Sequence, residues 1–218
     1  MQMLKERLEF LKGPGGIRAA GYFGLKIFIR IDVFHVFWIV TRSNTSLILP
    51  PGWRFVSLHT AGALSDCSKH IIEQAANQCG TSPKSLVERG GSLHLLLAGD
   101  SLVAQLNIER GPSCRINAPP LHLAMGESDA FLSHLYTWPE YRRQGAARYL
   151  IAASVNNLSM YKIRRVIAHV RATNVPSLAA FEHAGWKNGA TIICTLSGRL
   201  LTAFGAARAG LTFHSTAK

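Results

Sequence analysis

Cysteine is scarce, and the four present, Cys67, Cys79, Cys114 and Cys194, form no C-x-x-C pair. No histidine sits at ligand spacing from them, so the pattern excludes a zinc site and a dense disulfide framework, and no metal is expected. Reduced, mostly buried thiols are the expectation. Long apolar runs are missing too. The longest, residues 33–40, contains His35 and follows Arg30 and Asp32, well short of the roughly 18 to 20 residues that span a bilayer as a helix. The N-terminus carries Glu6 and Glu9 and is broken by Gly13-Pro14-Gly15-Gly16 before any apolar stretch begins, which argues against a secretory signal. A cytoplasmic protein is expected. Acidic residues are few, 12 against 24 Lys and Arg, for a formal charge of +12 over 218 residues. That excess predicts anionic partners: phosphate-rich cofactors, lipid headgroups or nucleic acid. Lys162, Arg164 and Arg165 cluster without interleaved aromatics and no nucleic-acid motif appears, so nucleic acid is not the expected partner.

The chain divides by composition. Residues 1–51 read as a basic, apolar extension packed on or beside the main domain. Leu4, Leu8 and Leu11 fall at helical spacing, residues 17–30 are apolar with Arg18, Lys26 and Arg30, and residues 33–40 are strand-like. One reading rests this extension on an anionic membrane at its inner face; the other makes it an extra helix and strand on the domain. Pro50-Pro51-Gly52 marks the boundary, and residues 52–197 form the main domain. In it, residues 53–59 alternate like a strand and residues 64–78 read as one helix stopping near Gly80. Two apolar runs, residues 93–98 and 101–109, are joined by Gly99-Asp100 as a hairpin. Residues 111–120 read as a proline-bearing loop. Strands are expected over residues 131–137, 165–172 and 190–196, and helices from Gly145 to about residue 158 and over 175–184. This order of a hairpin-containing mixed sheet interrupted by helices is α/β or α+β. The tail, residues 198–218, is Ala- and Gly-rich and carries no clear element.

The organising stretch is residues 136–150: a strand end, a basic turn, then the first turn of an apolar helix. Free N–H groups at a helix start, with the positive end of the helix dipole behind them, stabilise an anion. Gly145 has no Cβ to keep a ligand off the backbone, Ala146 and Ala147 keep the first turn narrow, and Arg142 and Arg143 add charge. The pattern Arg142-x-x-Gly145-x-Ala147, preceded by Pro139-Glu140-Tyr141, resembles the acyl-CoA pyrophosphate loop of the GNAT superfamily of N-acyltransferases. Further on, residues 171–177 lead into Phe181-Glu182-His183-Ala184-Gly185-Trp186, which resembles the second signature of that family. The two motifs stand in the expected order, and the resemblance covers residues 52–197.

The resemblance implies a GNAT fold, a mostly antiparallel mixed sheet splayed between two strands and flanked by helices. It implies acetyl-CoA as co-substrate and a primary amine, small molecule or peptide, as acceptor. Residues 142–147 (Arg142, Arg143, Gln144, Gly145, Ala146, Ala147) would take the pyrophosphate. The backbone of Leu135, Tyr136 and Thr137 would hold the pantetheine arm and polarise the thioester carbonyl. Asn174, Ser177 and Phe181 would border the cofactor, with a helix N-cap as the structural role of Asn174. A base must deprotonate the amine. Where relatives carry a carboxylate on this strand the sequence has Phe131, so Asp129, Glu127 and His134 are candidates. Alternation puts Asp129 and Ser133 on the face of Phe131, with His134 and Tyr136 on the other. Phe181 stands where a tyrosine usually protonates the leaving thiolate. That leaves Tyr136, Tyr141, Tyr161 or water, or no acid at all, since a thiol pKa of roughly 8.5 already makes it a tolerable leaving group. His169 reads as a core or sheet-face histidine. The two phenylalanines also motivate an alternative, a catalytically silent protein of this fold that binds acyl-CoA as a sensor.

Overall fold

The computed structural model describes residues 30–41, 47–116 and 121–215. The helical spacing over residues 1–12 and the apolar stretch from residue 17 to 29 lie outside them. The chain opens with β1 (Ile31–Val40) and β2 (Trp53–Leu58), then α1 (Ala61–Asp66), α2 (Lys69–Ala76) and α3 (Pro83–Glu88). Strands β3 (Ser92–Ala98) and β4 (Ser101–Glu109) form the hairpin expected across Gly99-Asp100, with Gly99 at φ 56°. Short strands β5 (Ser113–Arg115) and β6 (Leu121–Ala124) precede β7 (Asp129–Thr137), α4 (Ala146–Ser159), β8 (Arg165–Arg171), α5 (Val175–His183) and β9 (Lys187–Thr195). The tail carries β10 (Leu200–Phe204) and β11 (Phe213–Ser215).

Eight strands form the main sheet in the order β10-β9-β1-β8-β7-β4-β3-β2, and β11-β6-β5 form a second, three-stranded sheet. Every neighbouring pair of the main sheet is antiparallel except β7 with β8. The expected mixed, mostly antiparallel sheet flanked by helices is what forms. The segment read as part of an extension is different in kind: residues 31–40 are a strand inside the sheet, paired with β8 on one side and β9 on the other. Its apolar run is what a strand buried on both faces requires. Phe34 and Val36 enter the core on one face and Phe37 the core on the other.

Three apolar clusters result. α4 and α5 cover one face, where Ala146, Leu150, Ile151, Val155 and Leu158 form a helical stripe against β4, β7 and β8. Full burial of side chains such as Leu150 and Ile151 contributes about 1.5–3 kcal/mol each. The three-stranded sheet covers the opposite face of β9, β1, β8 and β7, over Phe34, Phe131, Ile167 and Ile192. The short helices α1 to α3 cover the other half of the sheet over Leu93, Leu95 and Leu97. The single helix expected over residues 64–78 is two helices, because Cys67 is extended (φ −79°, ψ 145°) and Ser68 begins a new helix. The loop expected over 111–120 holds β5, the unassigned tail holds β10 and β11, and β6 follows the loop; β5 and β11 carry one apolar residue each, too few for a sequence pattern to register. Among the described residues, no helix is long and apolar enough to cross a membrane.

Candidate active site

β7 and β8 pair in parallel only from Asp129 opposite Arg165 to Leu132 opposite Ala168. Beyond that point each keeps its outer partner, β7 with β4 through Thr137 and β8 with β1 through Arg171, so the two strands part inside a continuous sheet. The gap is a cleft of about 640 Å³, bordered by Ser133, His134 and Leu135 on one side and His169, Val170 and Arg171 on the other. A bulge sharpens the opening. Asn107 faces Ser133 and Gln105 faces Tyr136, so His134 and Leu135 share a single opposite residue on β4. His134 sits in the left-handed region, φ 51°, and this kink breaks the simple alternation expected along the strand. On the cleft side, the β7 backbone past Leu132 has no ladder partner, which leaves amide groups free to bind an extended ligand.

The basic turn follows directly. Pro139–Tyr141 form one 3-10 turn, Arg143 has φ 63°, and Gly145 caps α4 at φ 78°. Arg142 Nε donates to the Thr137 carbonyl at 3.2 Å and Gln144 Nε2 to the Glu140 carbonyl at 2.9 Å, which ties the turn to the end of β7. The first N–H groups of α4 have no intrahelical acceptors, and the helix supplies its positive end to the same place. A Cβ at Gly145 would meet Tyr149 Cε2 at 3.3 Å, besides requiring a strained φ. The residues therefore fit a diphosphate at the turn and an extended arm along β7.

Of the other residues read as bordering the cofactor, Leu135, Asn174, Ser177 and Phe181 line the cleft. Asn174 is also the N-cap of α5, accepting from the Ser177 N–H at 3.3 Å. Phe181 is almost wholly buried, stacked on Phe37 at 5.7 Å and edge-on to Trp186 at 4.8 Å, so it shapes the cleft floor from the core. Tyr136 turns away, with its ring against Trp138 at 5.0 Å and beneath the Arg142 guanidinium at 5.8 Å. Tyr141 packs on Trp53 and Tyr161 on His59, and none of these three phenols lines the cleft.

The catalytic candidates separate. Asp129 lies at the far end of β7, where Arg165 grips both carboxylate oxygens at 2.8 and 2.7 Å and the Gly126 N–H donates at 2.9 Å. Burial alone would raise its carboxyl, but these donors outweigh burial and hold it below the usual carboxylate range. Its place is a structural ion pair outside the cleft. Glu127 lies beside Ser128 at the same outer end. His134 does face the cleft. Burial lowers its pKa, Glu109 opposes and Arg115 reinforces that shift, so the ring is neutral near pH 7 and can take a proton. His169 is sandwiched between Phe131, stacked at 5.5 Å, and Phe34, edge-on at 5.6 Å. Burial, with His134 and Arg171 beside it, pushes it down to about 4, which makes it a neutral wall of the cleft.

The structure adds residues that the sequence did not single out. Glu109, the cross-strand partner of Phe131, lies in the cleft and accepts a hydrogen bond from the Ser133 hydroxyl. Thr81, Arg89 and Arg115 line the same end. Gly80 meets His134 so closely that a Cβ there would lie 2.1 Å from His134 Cε1. Two fully buried polar residues of β4 fix this wall: Asn107 Nδ2 donates to the Cys79 carbonyl at 2.8 Å and Gln105 Nε2 contacts Cys79 Sγ at 3.3 Å. Only a glycine after a helix (Gly80) and an acid ending a strand (Glu109) were visible as sequence signals, and both have commoner structural meanings.

The family model described as the acetyltransferase (GNAT) family matches residues 69–186. No curated protein matches the sequence. Among solved structures, the chain is similar to a protein from Novosphingobium aromaticivorans placed in the GNAT family, with TM-score 0.51 and 18% identity, covering 87% of this chain and 67% of that one. It is also similar to a GCN5-related N-acetyltransferase from Kribbella flavida, with TM-score 0.50 and 13% identity, covering 78% of this chain and 61% of that one. The chain thus spans between three fifths and two thirds of the length of these two proteins. At such identities the likeness is one of fold.

Proposed function

Because the chain belongs to the GNAT acetyltransferase family, we propose that it transfers an acetyl group from acetyl-CoA to a primary amine, by direct attack within a ternary complex. The observation that carries this is the parting of β7 and β8 beyond Leu132, bulged at His134, immediately before the Gly145 helix start. Acetyl-CoA supplies an activated acyl carbon and a thiolate leaving group. The residues do the rest. Arg142, Arg143 and the N–H groups of residues 143–147 take the diphosphate. The free amides of β7 around Leu135 align the arm and polarise the carbonyl with fixed dipoles. On the other side, Glu109 attracts the ammonium of the acceptor and neutral His134 accepts its proton, directly or through water. Phe181 has no proton to give, and the cleft requires none of the three tyrosines for departure of a thiol.

Calorimetric titration with acetyl-CoA, set beside the Gly145→Glu variant, tests the cofactor half. Binding by the parent with a loss of at least about 100-fold in the variant is expected, since the new carboxylate enters the anion site and strains φ 78°. Release of free thiol in the presence of amines tests the chemistry. Binding without thiol release from any amine would favour the silent sensor, and no binding would sink the acetyl-CoA reading.

A further inference from the structure

The cleft has a second half that the cofactor does not explain, and its charges are unbalanced in a specific way. Elsewhere the partly buried arginines of this sheet are neutralised: Arg165 pairs with Asp129 at 2.7 Å and Arg171, which also borders the cleft, pairs with Asp32 at 3.1 Å. At the acceptor end the described residues offer no such pairing. Arg89 is held by neutral acceptors, the Ser85 carbonyl from Nε and the Thr81 hydroxyl from Nη2, each at 3.2 Å. This aims a positioned guanidinium at the cleft without spending its charge. Arg115 stands opposite His122 in the three-stranded sheet, and His214 follows beyond, its ring stacked on His122 at 5.8 Å. Among the described residues, no carboxylate therefore faces Arg115 across its own sheet. Glu109, in turn, is engaged by the Ser133 hydroxyl and by no cation within ion-pair distance among the described residues.

One carboxylate and two guanidinium groups, none of them in an ion pair among the described residues, border one cleft beside the bulge where acyl transfer would occur. Resting on the acetyltransferase reading, we propose that the acceptor is a small amine that also carries an oxyanion, carboxylate or phosphate, with Glu109 receiving the ammonium and Arg89 and Arg115 the acid. A guanidinium fork binds either oxyanion in a bidentate fashion and a lone ammonium would be repelled by the pair. The acid group fixes which end of the molecule reaches His134, so the two arginines determine specificity and orientation and take no part in the chemistry. In the transfer itself the ammonium first loses one proton to His134, the amine nitrogen bonds to the acyl carbon, the carbon–sulfur bond breaks, and the second nitrogen proton passes to the departing thiolate, directly or through water.

Three amines of equal chain length, ending in carboxylate, phosphate or a neutral amide, decide the matter when compared on the intact protein, Arg89→Gln and Arg115→Gln. Both arginines are exposed, so the variants should fold. Thiol release should favour an acid-bearing amine over the amide by about tenfold or more in kcat/KM. Arg115→Gln should erase that preference by raising KM for the acid-bearing amine toward the value for the amide. Whichever acid is preferred identifies the oxyanion. Equal rates for all three amines, or a preference that survives both variants, would overturn the proposal while leaving acetyl transfer standing. Calorimetric titration of the same amines reads the preference without turnover. An acid preference in binding that Arg115→Gln abolishes, without thiol release, would uphold the charge complementarity and sink acetyl transfer alone. No acid preference in binding would overturn the proposal.

Discussion

Gly80 is the residue that His134 packs against at the cleft. It adopts φ +64° and any Cβ there would lie 2.1 Å from His134 Cε1, so Gly80→Ala must push the imidazole or the loop away. Loss of kcat/KM for the amine by about 10- to 100-fold is expected, since displacements near 1 Å carry costs of that order. Acetyl-CoA affinity should fall much less, because residues 142–147, proposed to take the diphosphate, lie beyond the other end of the bulge. Steady-state kinetics beside a cofactor titration checks both halves. The same scale explains why Asp129 was a fair candidate in sequence and is a structural residue in the fold. Its partner Arg165 is 36 positions away and reaches it only through the parallel ladder of β7 and β8. His134 was legible as a polar residue on the right strand. Its left-handed backbone and its contact with Gly80 were not, because they arise from a bulge against β4 that no local pattern encodes.

At the scale of elements, β1 is the addition that changes how the sheet is held. It occupies the position between β8 and β9 and so braces one side of the cleft. Phe37, on its helix-facing side, stacks on Phe181, which in turn shapes the cleft floor. Phe37→Ala should cost about 3–5 kcal/mol, the range for large aromatic deletions in a packed core, read as a lower urea midpoint. Phe37→Leu should lose much less. If the alanine variant is nearly as stable as the parent, β1 is an accessory strand and its place in the sheet matters little energetically. Hydrophobic runs identified β1, the β3–β4 hairpin and α4 without difficulty, since each is long and strongly patterned. The strands that were missed are short, and they gain their stability from the faces they cover.

The whole molecule responds to acid in a way its buried histidines set. His94 is fully buried and pushed down to about 3 by desolvation and by His59, and His169 to about 4. Their ordinary value is 6.5, so the unfolded chain takes up protons at a pH where the folded chain holds both rings neutral. Their stabilising share is complete above about 6.5 and is lost as pH falls toward about 4 and about 3. The Asp129 ion pair adds a share that is present above the ordinary carboxylate pKa and is lost as pH falls below it. A melting temperature that is flat near neutrality and falls from about pH 6.5 downward is expected, and His94→Leu should flatten the upper part of that fall. An unchanged slope in the variant would remove His94 from the account.

The sequence by itself determined the local and repeated features: the basic turn and helix start at residues 142–147, the hairpin, the amphipathic α4, and through two spaced motifs the family. These follow from contacts between near neighbours and from backbone preferences, which a linear pattern records. Tertiary structure alone decided the composition of the cleft. Glu109 on β4, Arg115 on β5, Arg89 after α3, Gly80 after α2 and His134 on β7 come from five separate segments. They meet because β7 bulges against β4 and parts from β8. The same assembly closes Asp129 in an ion pair and places an N-terminal strand beside β8. Pairing between distant strands depends on which faces can be buried together, and that is a property of the whole chain.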